Sequence, residues 1–358
     1  MRRPPALILG GGPAGAAAAI ALARRDIRAT ILERTRAPVD SLCGGFLSWQ
    51  TLAALDALGI APDALNPRTI TRLRLCLGER VAEAPLPAPA RAVSRARLDR
   101  LLLDRAAALG VTIERGVAVR ALEDGHVRVD GATLTADMLL LATGKHDLRG
   151  NARDAPPATD PVLGLRVRLP AHPAIGDAIE LHLFDGGYAG VAVQEDGSAN
   201  ICMAVARSRL QSAGDPLALL RALAHENRLL GDRLEHLSTR TPVDAVANVP
   251  YGWRTATTEP GLYRLGDQAA VIPSLAGEGL GIAVASGVMA AESIAHRIPA
   301  DHYQHRFARQ AARPLAVAGA IRALADRSPS AHLLLAAVSL PGLSRLAARL
   351  TRIKHPCH

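Results

Sequence analysis

Apolar residues first gather at Ala6-Leu7-Ile8-Leu9, a run of strand length with no polar interruption, as in a strand buried on both faces. The chain then passes through Gly10-Gly11-Gly12-Pro13-Ala14-Gly15 into an alanine-rich stretch, Ala16 to Arg24, and on to a second apolar run, Ala29 to Leu32, ending at Glu33. The pattern predicts strand, tight turn, helix, strand. Helices are also predicted over 50–58, stopped by Gly59, and from Ser94 through Leu109, where leucines recur at helical spacing up to Gly110. Strands are predicted at 111–114 and 117–122, with a hairpin turn near Asp124-Gly125, and the run Met138 to Gly144 reads as another buried parallel strand. The Pro-rich stretch 85–89 reads as a connector.

Beyond residue 160 the pattern changes to short strand-like runs at 162–169, 178–184, 188–194 and 199–206, then a helix near 215–230 and a strand pair near 239–251. From 261 the earlier style returns, with Tyr263-Arg264-Leu265-Gly266-Asp267, then Pro273, then Gly277-Glu278-Gly279 opening a helix to about Ile294. The expected fold class is α/β, with a Rossmann-like dinucleotide-binding domain, an inserted antiparallel α+β lobe and a C-terminal helical segment. The expected divisions are 1–160 (with 76–93 able to join the lobe), 161–254, 255–300 and 301–358.

Composition narrows the classes. At 358 residues, 49% apolar and 21% charged, the chain has material for a large core without staples. Cys43, Cys76, Cys202 and Cys357 show no paired spacing, which fits a reducing compartment; with no export signal read behind Met1-Arg2-Arg3, the expected location is cytoplasmic. The net charge of +9 is concentrated at one end: residues 302–358 hold nine arginines and lysines against Asp326 alone. With aromatics at 3% and no nucleic-acid motif, nucleic-acid binding is not expected. The histidines, including His302-x-x-His305 and His355-x-x-His358, show no convincing metal spacing. Residues 315–353 instead alternate arginines with leucine and alanine, a pattern that suits either helices packed on the body of the protein or peripheral contact with anionic lipid.

Gly10, Gly12 and Gly15 stand in the G-x-G-x-x-G register, with Glu33 eighteen residues past the last glycine. The first glycine makes the turn, the second admits a pyrophosphate, the third lets helix and strand pack closely, and the helix N-terminus at Pro13-Ala14 supplies partial positive charge. Glu33 can accept both ribose hydroxyls of an adenosine.

These segments, with Ser41-Leu42-Cys43-Gly44-Gly45, Ser94-Arg95-Ala96-Arg97-Leu98-Asp99 and the stretch Gly261 to Glu292, resemble the flavoprotein superfamily that contains aromatic-ring hydroxylases and geranylgeranyl reductases. The resemblance implies FAD bridging two glycine clusters some 250 residues apart. It implies that Gly266-Asp267 meets the ribityl hydroxyls, that the amides of Gly279 and Leu280 face the flavin ring, and that Arg95 lies along the pyrophosphate or ribityl chain. It adds Arg34, Gly44, Val119, Gly144, Pro273 and Gly277 to the cofactor's surroundings. Cys43 would lie near the reacting carbon, as a proton donor or as a small buried hydrophobe. Read on their own, Arg95 also suits an exposed helix position, Asp267 a turn cap and Tyr188 a core tyrosine.

Two departures qualify the resemblance. The Ala-Asp-Gly of ring hydroxylases is here Ala142-Thr143-Gly144, followed by a basic loop with Lys145, His146 and Arg149, which suits either substrate or NADPH contacts or plain solvation. The reductases' Tyr-x-Trp-x-Phe-Pro is here Tyr188-Ala189-Gly190-Val191-Ala192-Val193, with only the tyrosine kept. Both branches take hydride from NAD(P)H. The leading expectation is a monooxygenase of a lipophilic or phenolic small molecule, with Cys43 and Tyr188 as candidate catalytic residues; an ene-reductase is the alternative, and a non-catalytic flavin protein a third.

Overall fold

The structure is a computed structural model, which describes residues 6–326, 328–340 and 342–355. Met1 to Arg3, Cys357 and His358, named above, lie outside them. Strands Ala6–Leu9, Ala29–Glu33, Thr112–Arg115, Leu139–Leu141 and Leu262–Arg264 form one parallel sheet with the first strand at its centre. Their apolar runs are needed because helices cover the sheet. The helix Pro13–Ala23 is buried from Pro13 to Leu22, which is why it is hydrophobic all round rather than along one stripe. Helix Gly279–Ala295 crosses it closely: a Cβ at Gly287 would stand 2.3 Å from the Ala14 carbonyl oxygen, so only glycine permits this packing.

The helix predicted from Ser94 spans Arg95–Ala108, with the Ser94 hydroxyl accepting the Arg97 N–H at 3.2 Å. The expected hairpin is present: Asp124 and Gly125 both have positive φ and join Val119–Glu123 to His126–Val129, with Ala132–Thr135 completing a three-stranded sheet.

The second large sheet has eight strands, in the order Asp244–Val246, Val162–Pro170, Ser198–Ala206, Gly187–Val193, Ala178–Phe184, Ile70–Leu77, Arg80–Ala92 and Phe46–Leu47. All neighbours are antiparallel except Ala178–Phe184 with Ile70–Leu77. Here the sequence reading needs correction. The stretch 85–89 is no connector; it lies in the longest strand of the sheet. Pro85, Pro87 and Pro89 alternate with the pleat next to a bulge, in a strand whose outer neighbour is only two residues long, so their missing N–H groups cost few ladder bonds. The strand pair near 239–251 reduces to Asp244–Val246, and the helix near 215–230 is two, Pro216–Glu226 and Arg228–Arg233, broken at Asn227, which caps the second by accepting the Leu230 N–H.

After helix Ala300–Ala325, helices Ser328–Ser339 and Leu343–Leu350 turn back to pack on the strands Ile70–Leu77 and Arg80–Ala92. Among the described residues no single helix is long and apolar enough to cross a membrane.

Candidate functional site

One cavity of about 980 Å³ runs from the glycine turn to these C-terminal helices, at the upper end of small-molecule pockets. At its first end, Gly10 takes a φ of +113°, and a Cβ there would lie 2.5 Å from the Ala142 carbonyl oxygen. Helix Pro13–Ala23 starts at Gly12 with no side-chain cap, leaving its first amides for a ligand. The Glu33 carboxylate accepts the Gly11 N–H at 2.8 Å and both the N–H and hydroxyl of Thr35 at 2.8 Å, so its orientation at the strand end is fixed.

Arg95 reaches over this turn. Its Nη2 would stand 3.3 Å from a Cβ on Gly12, and Asp99 grips it at 2.9 and 2.8 Å. Burial works against the guanidinium charge, and Asp99 more than offsets it, so the pKa of Arg95 is raised. It is a fixed, half-buried cation over the glycine turn rather than an exposed helix arginine.

Of the expected site residues, Gly10, Gly12, Pro13, Ala14, Glu33, Arg34, Cys43, Gly44, Arg95, Val119, Gly144, Tyr188, Gly266, Asp267, Gly277, Gly279 and Leu280 all line this cavity. Gly15 and Pro273 do not. Gly15 lies behind the turn, where a Cβ would meet the Gly10 carbonyl oxygen at 2.0 Å, and Pro273 precedes the short turn Ser274–Ala276. The basic loop divides three ways. Lys145 turns inward, its Nζ 3.5 Å from Asp267 Oδ2, and that carboxylate raises its pKa against the burial that lowers it. His146 sits at the rim, its Nε2 2.9 Å from Arg34 Nη2. Arg149 points away and pairs with Glu123 at 3.4 Å.

Cys43 is half-buried, and its Sγ accepts the Gly45 N–H at 3.4 Å. Asn200 fixes the loop by donating to the Cys43 and Gly44 carbonyl oxygens, each at 3.0 Å. Cys202, two residues along the same strand, also faces the cavity, and burial pushes its thiol up to about 12, so it stays protonated at neutral pH. Tyr188 donates to Ser274 Oγ, which Tyr251 also meets at 2.7 Å; burial raises both phenols. From here the walls are apolar, including Leu73, Leu75, Leu181 and Leu183, with Leu334 and Val338 from the C-terminal helices.

Two residues escaped the sequence reading. Glu278, fully buried, accepts from Arg352 Nη1 at 2.7 Å, from the Ile353 N–H at 3.2 Å and from Ser48 at 3.2 Å. Arg352 also donates to the Ala276 carbonyl oxygen at 2.8 Å and lies 5.3 Å from the Trp49 ring centroid. The chain end is thereby latched to the loop that opens helix Gly279–Ala295. A contact spanning 74 residues has no local signature; the position of Glu278 between two glycines was the available hint. Lys145 was noticed only as part of a loop.

The parallel sheet, the glycine turn and the antiparallel lobe over a continuous cavity define a two-lobed flavoprotein. Residues 3–149 match the family described as FAD binding domain. Over 317 residues the chain is 27% identical to the menaquinone reductase of Mycolicibacterium smegmatis, a match covering 81% of this chain and 76% of that protein. It is 26% identical over 317 residues to digeranylgeranylglycerophospholipid reductase 2 of Methanopyrus kandleri, covering 82% and 78%. The fold is shared with a geranylgeranyl bacteriochlorophyll reductase-like protein from Thermoplasma acidophilum, at a TM-score of 0.73 and 18% identity over 96% of this chain and 94% of that one. The chain carries an FAD-binding domain over residues 3–149 and is similar over most of its length to the two reductases just named; it is an FAD-dependent oxidoreductase. The residues present fit FAD: a glycine cradle that a Cβ would fill, an uncapped helix start, a half-buried cation above it and an acid at the strand end.

Proposed function

We propose that this protein is a flavin-dependent reductase that saturates a carbon–carbon double bond or reduces a quinone ring in a long lipophilic molecule, with NAD(P)H or a partner protein as electron source. One observation carries the reading: beyond the loop Cys43-Gly44-Gly45 the cavity continues between apolar walls, formed by leucines from two strands and by the C-terminal helices. Two relatives that span about three quarters of their own length with this chain are named as reductases of a quinone and of a prenylated lipid.

In this reading Arg95, the helix start at Gly12 and Glu33 bind the dinucleotide, and Lys145 with Asp267 holds its middle. When bound, the flavin supplies hydride transfer to the substrate. The Cys43 thiol, pinned by Gly45 and Asn200 at the junction of the polar and apolar halves, delivers a proton to the reacting substrate. Leu73, Leu75, Leu181 and Leu183 exclude water, and Tyr188 orients the substrate head through its hydroxyl chain with Ser274 and Tyr251.

A monooxygenase acting on a lipophilic or phenolic molecule is the second reading, favoured by the Tyr188–Ser274–Tyr251 hydroxyl chain as a phenol-binding wall. Anaerobic turnover separates the two. With reduced flavin, a menaquinone and a prenylated lipid are offered without oxygen; product formation supports the reductase, and product only when oxygen is consumed in step refutes it.

A further inference from the structure

The C-terminal helices have two unlike faces. Inward, Leu334, Ala337 and Val338 of one helix and Ala347 and Ala348 of the next line the cavity. Outward, Leu333 is 65% exposed, Leu340 56% and Leu346 51%, and Leu343, 42% exposed, stands at the edge of the cavity. Of the seven large apolar side chains left exposed among the described residues, these four and Leu324 fall within 324–346. A globular chain scatters such residues; this one gathers them at a single elbow, where the two helices bend by 107°.

Charge identifies what covers the patch. Residues 328–355 contain no aspartate or glutamate. Arg345 and Arg349 are exposed, one turn apart beside Leu346, and pair with no carboxylate among the described residues. A second copy docked through a two-fold axis would bring the same arginines face to face, with no acid to neutralise them. An anionic lipid surface satisfies both halves of the pattern, taking leucines below the headgroups and arginines among them.

We propose that the elbow formed by 328–340 and 342–350 seats this protein on an anionic bilayer, and that the lipophilic substrate passes from the bilayer between the two helices into the cavity they wall. The docking half stands on the exposed leucines and arginines alone. The entry half rests on the proposed reductase function.

The test uses the full FAD-loaded chain and vesicles of phosphatidylcholine alone or with 30% phosphatidylglycerol, read by flotation. The expected result is binding to the anionic vesicles, weakened by 0.5 M salt. Arg345→Gln with Arg349→Gln is expected to lower partitioning about 25-fold, and Leu340→Ser with Leu343→Ser and Leu346→Ser to abolish it. All five side chains are exposed, so unchanged flavin absorbance and melting temperature report an intact fold. Equal partitioning to neutral and anionic vesicles, or binding unaffected by either variant, overturns the proposal. So does a dimer in lipid-free buffer that the leucine substitutions dissolve, because it assigns the elbow to self-association. Turnover of a short soluble substrate without vesicle binding overturns docking and leaves the reductase reading intact. Vesicle binding without turnover of either lipid substrate overturns that reading and leaves docking standing.

Discussion

Replacing Arg352 by methionine removes the cation that compensates a fully buried carboxylate. Glu278 is 0% exposed and Arg352 7%, and the pair also ties the Ala276 carbonyl oxygen and the Ile353 amide to the same node. Breaking a buried pair from one side costs about 3–5 kcal/mol, because the remaining charge is left without a partner. Unfolding entropy near 2.1 cal/mol/K per residue turns this into a melting-temperature loss of about 4–7 °C for 358 residues. Glu278→Gln with Arg352→Met removes both charges and should recover more than half of that loss. The deficit should also depend on pH. Burial already raises the Glu278 carboxyl against Arg352, and without the arginine it rises further. A carboxyl whose folded pKa lies above its unfolded value holds its proton more tightly in the native state, so stability falls as pH rises through that window. The single variant should therefore lie closer to wild type at pH 5 than at pH 8. Differential scanning fluorimetry at both pH values is the assay. An Arg352→Met melting point within 1 °C of wild type at pH 8, or a double variant no better than the single one, refutes the assignment of this pair as the anchor of the chain end.

At the other end of the cavity, Arg95→Met should lower FAD affinity about 10- to 100-fold, the value of a charge-assisted hydrogen bond; an unchanged Kd by fluorescence titration would remove Arg95 from the cofactor site. Cys43→Ala should cut turnover about 100-fold or more if the thiol is the proton donor, with FAD still bound; full activity in the alanine variant would show that Cys43 only fills space. In the lobe, Arg233 and Arg74 surround the buried Glu180, with His182 donating to it at 3.1 Å. Burial pushes the Glu180 carboxyl up, but His182 and Arg233 outweigh it and hold the pKa at about 2. A depressed carboxyl stabilises the fold above its unfolded value near 4.5 and loses that contribution as pH falls towards 2, about 3 kcal/mol in all. Acid unfolding followed by circular dichroism should shift for Glu180→Gln, and identical acid transitions would contradict this.

How much of this was legible in the sequence follows from the range of each interaction. The glycine turn, the caps at Ser94 and Gly59 and the Asp124-Gly125 hairpin are fixed by neighbours within a few residues, so their residue types announce them. The strand Arg80–Ala92 was misread because proline is informative about local donors, whereas its place near the sheet edge is set by pairing with a strand whose own order in the sheet is not local. Asn200 holding the Cys43 loop across 157 residues, and Arg352 holding Glu278, left no periodic trace at all. Lys145 lay in view, but its inward turn depends on Asp267, more than 120 residues away.

The cavity's polarity changes along its length, and this divides the work of the site. Its dinucleotide end concentrates fixed charge in Arg95, Asp99, Glu33, Lys145 and Asp267, each held by a partner before any ligand arrives. Beside its apolar walls the far end holds groups that burial keeps neutral: the Cys202 thiol and the Tyr188 and Tyr251 phenols, all raised above their ordinary values. A charged wall there would have to be desolvated by every hydrocarbon chain that entered, whereas neutral hydroxyls satisfied by Ser274 impose no such penalty. Cys43 stands where the two regimes meet, beside a loop whose carbonyl oxygens are already committed to Asn200. A proton donor is useful at that boundary, because a reacting centre must face the charged cofactor on one side while its apolar remainder lies on the other.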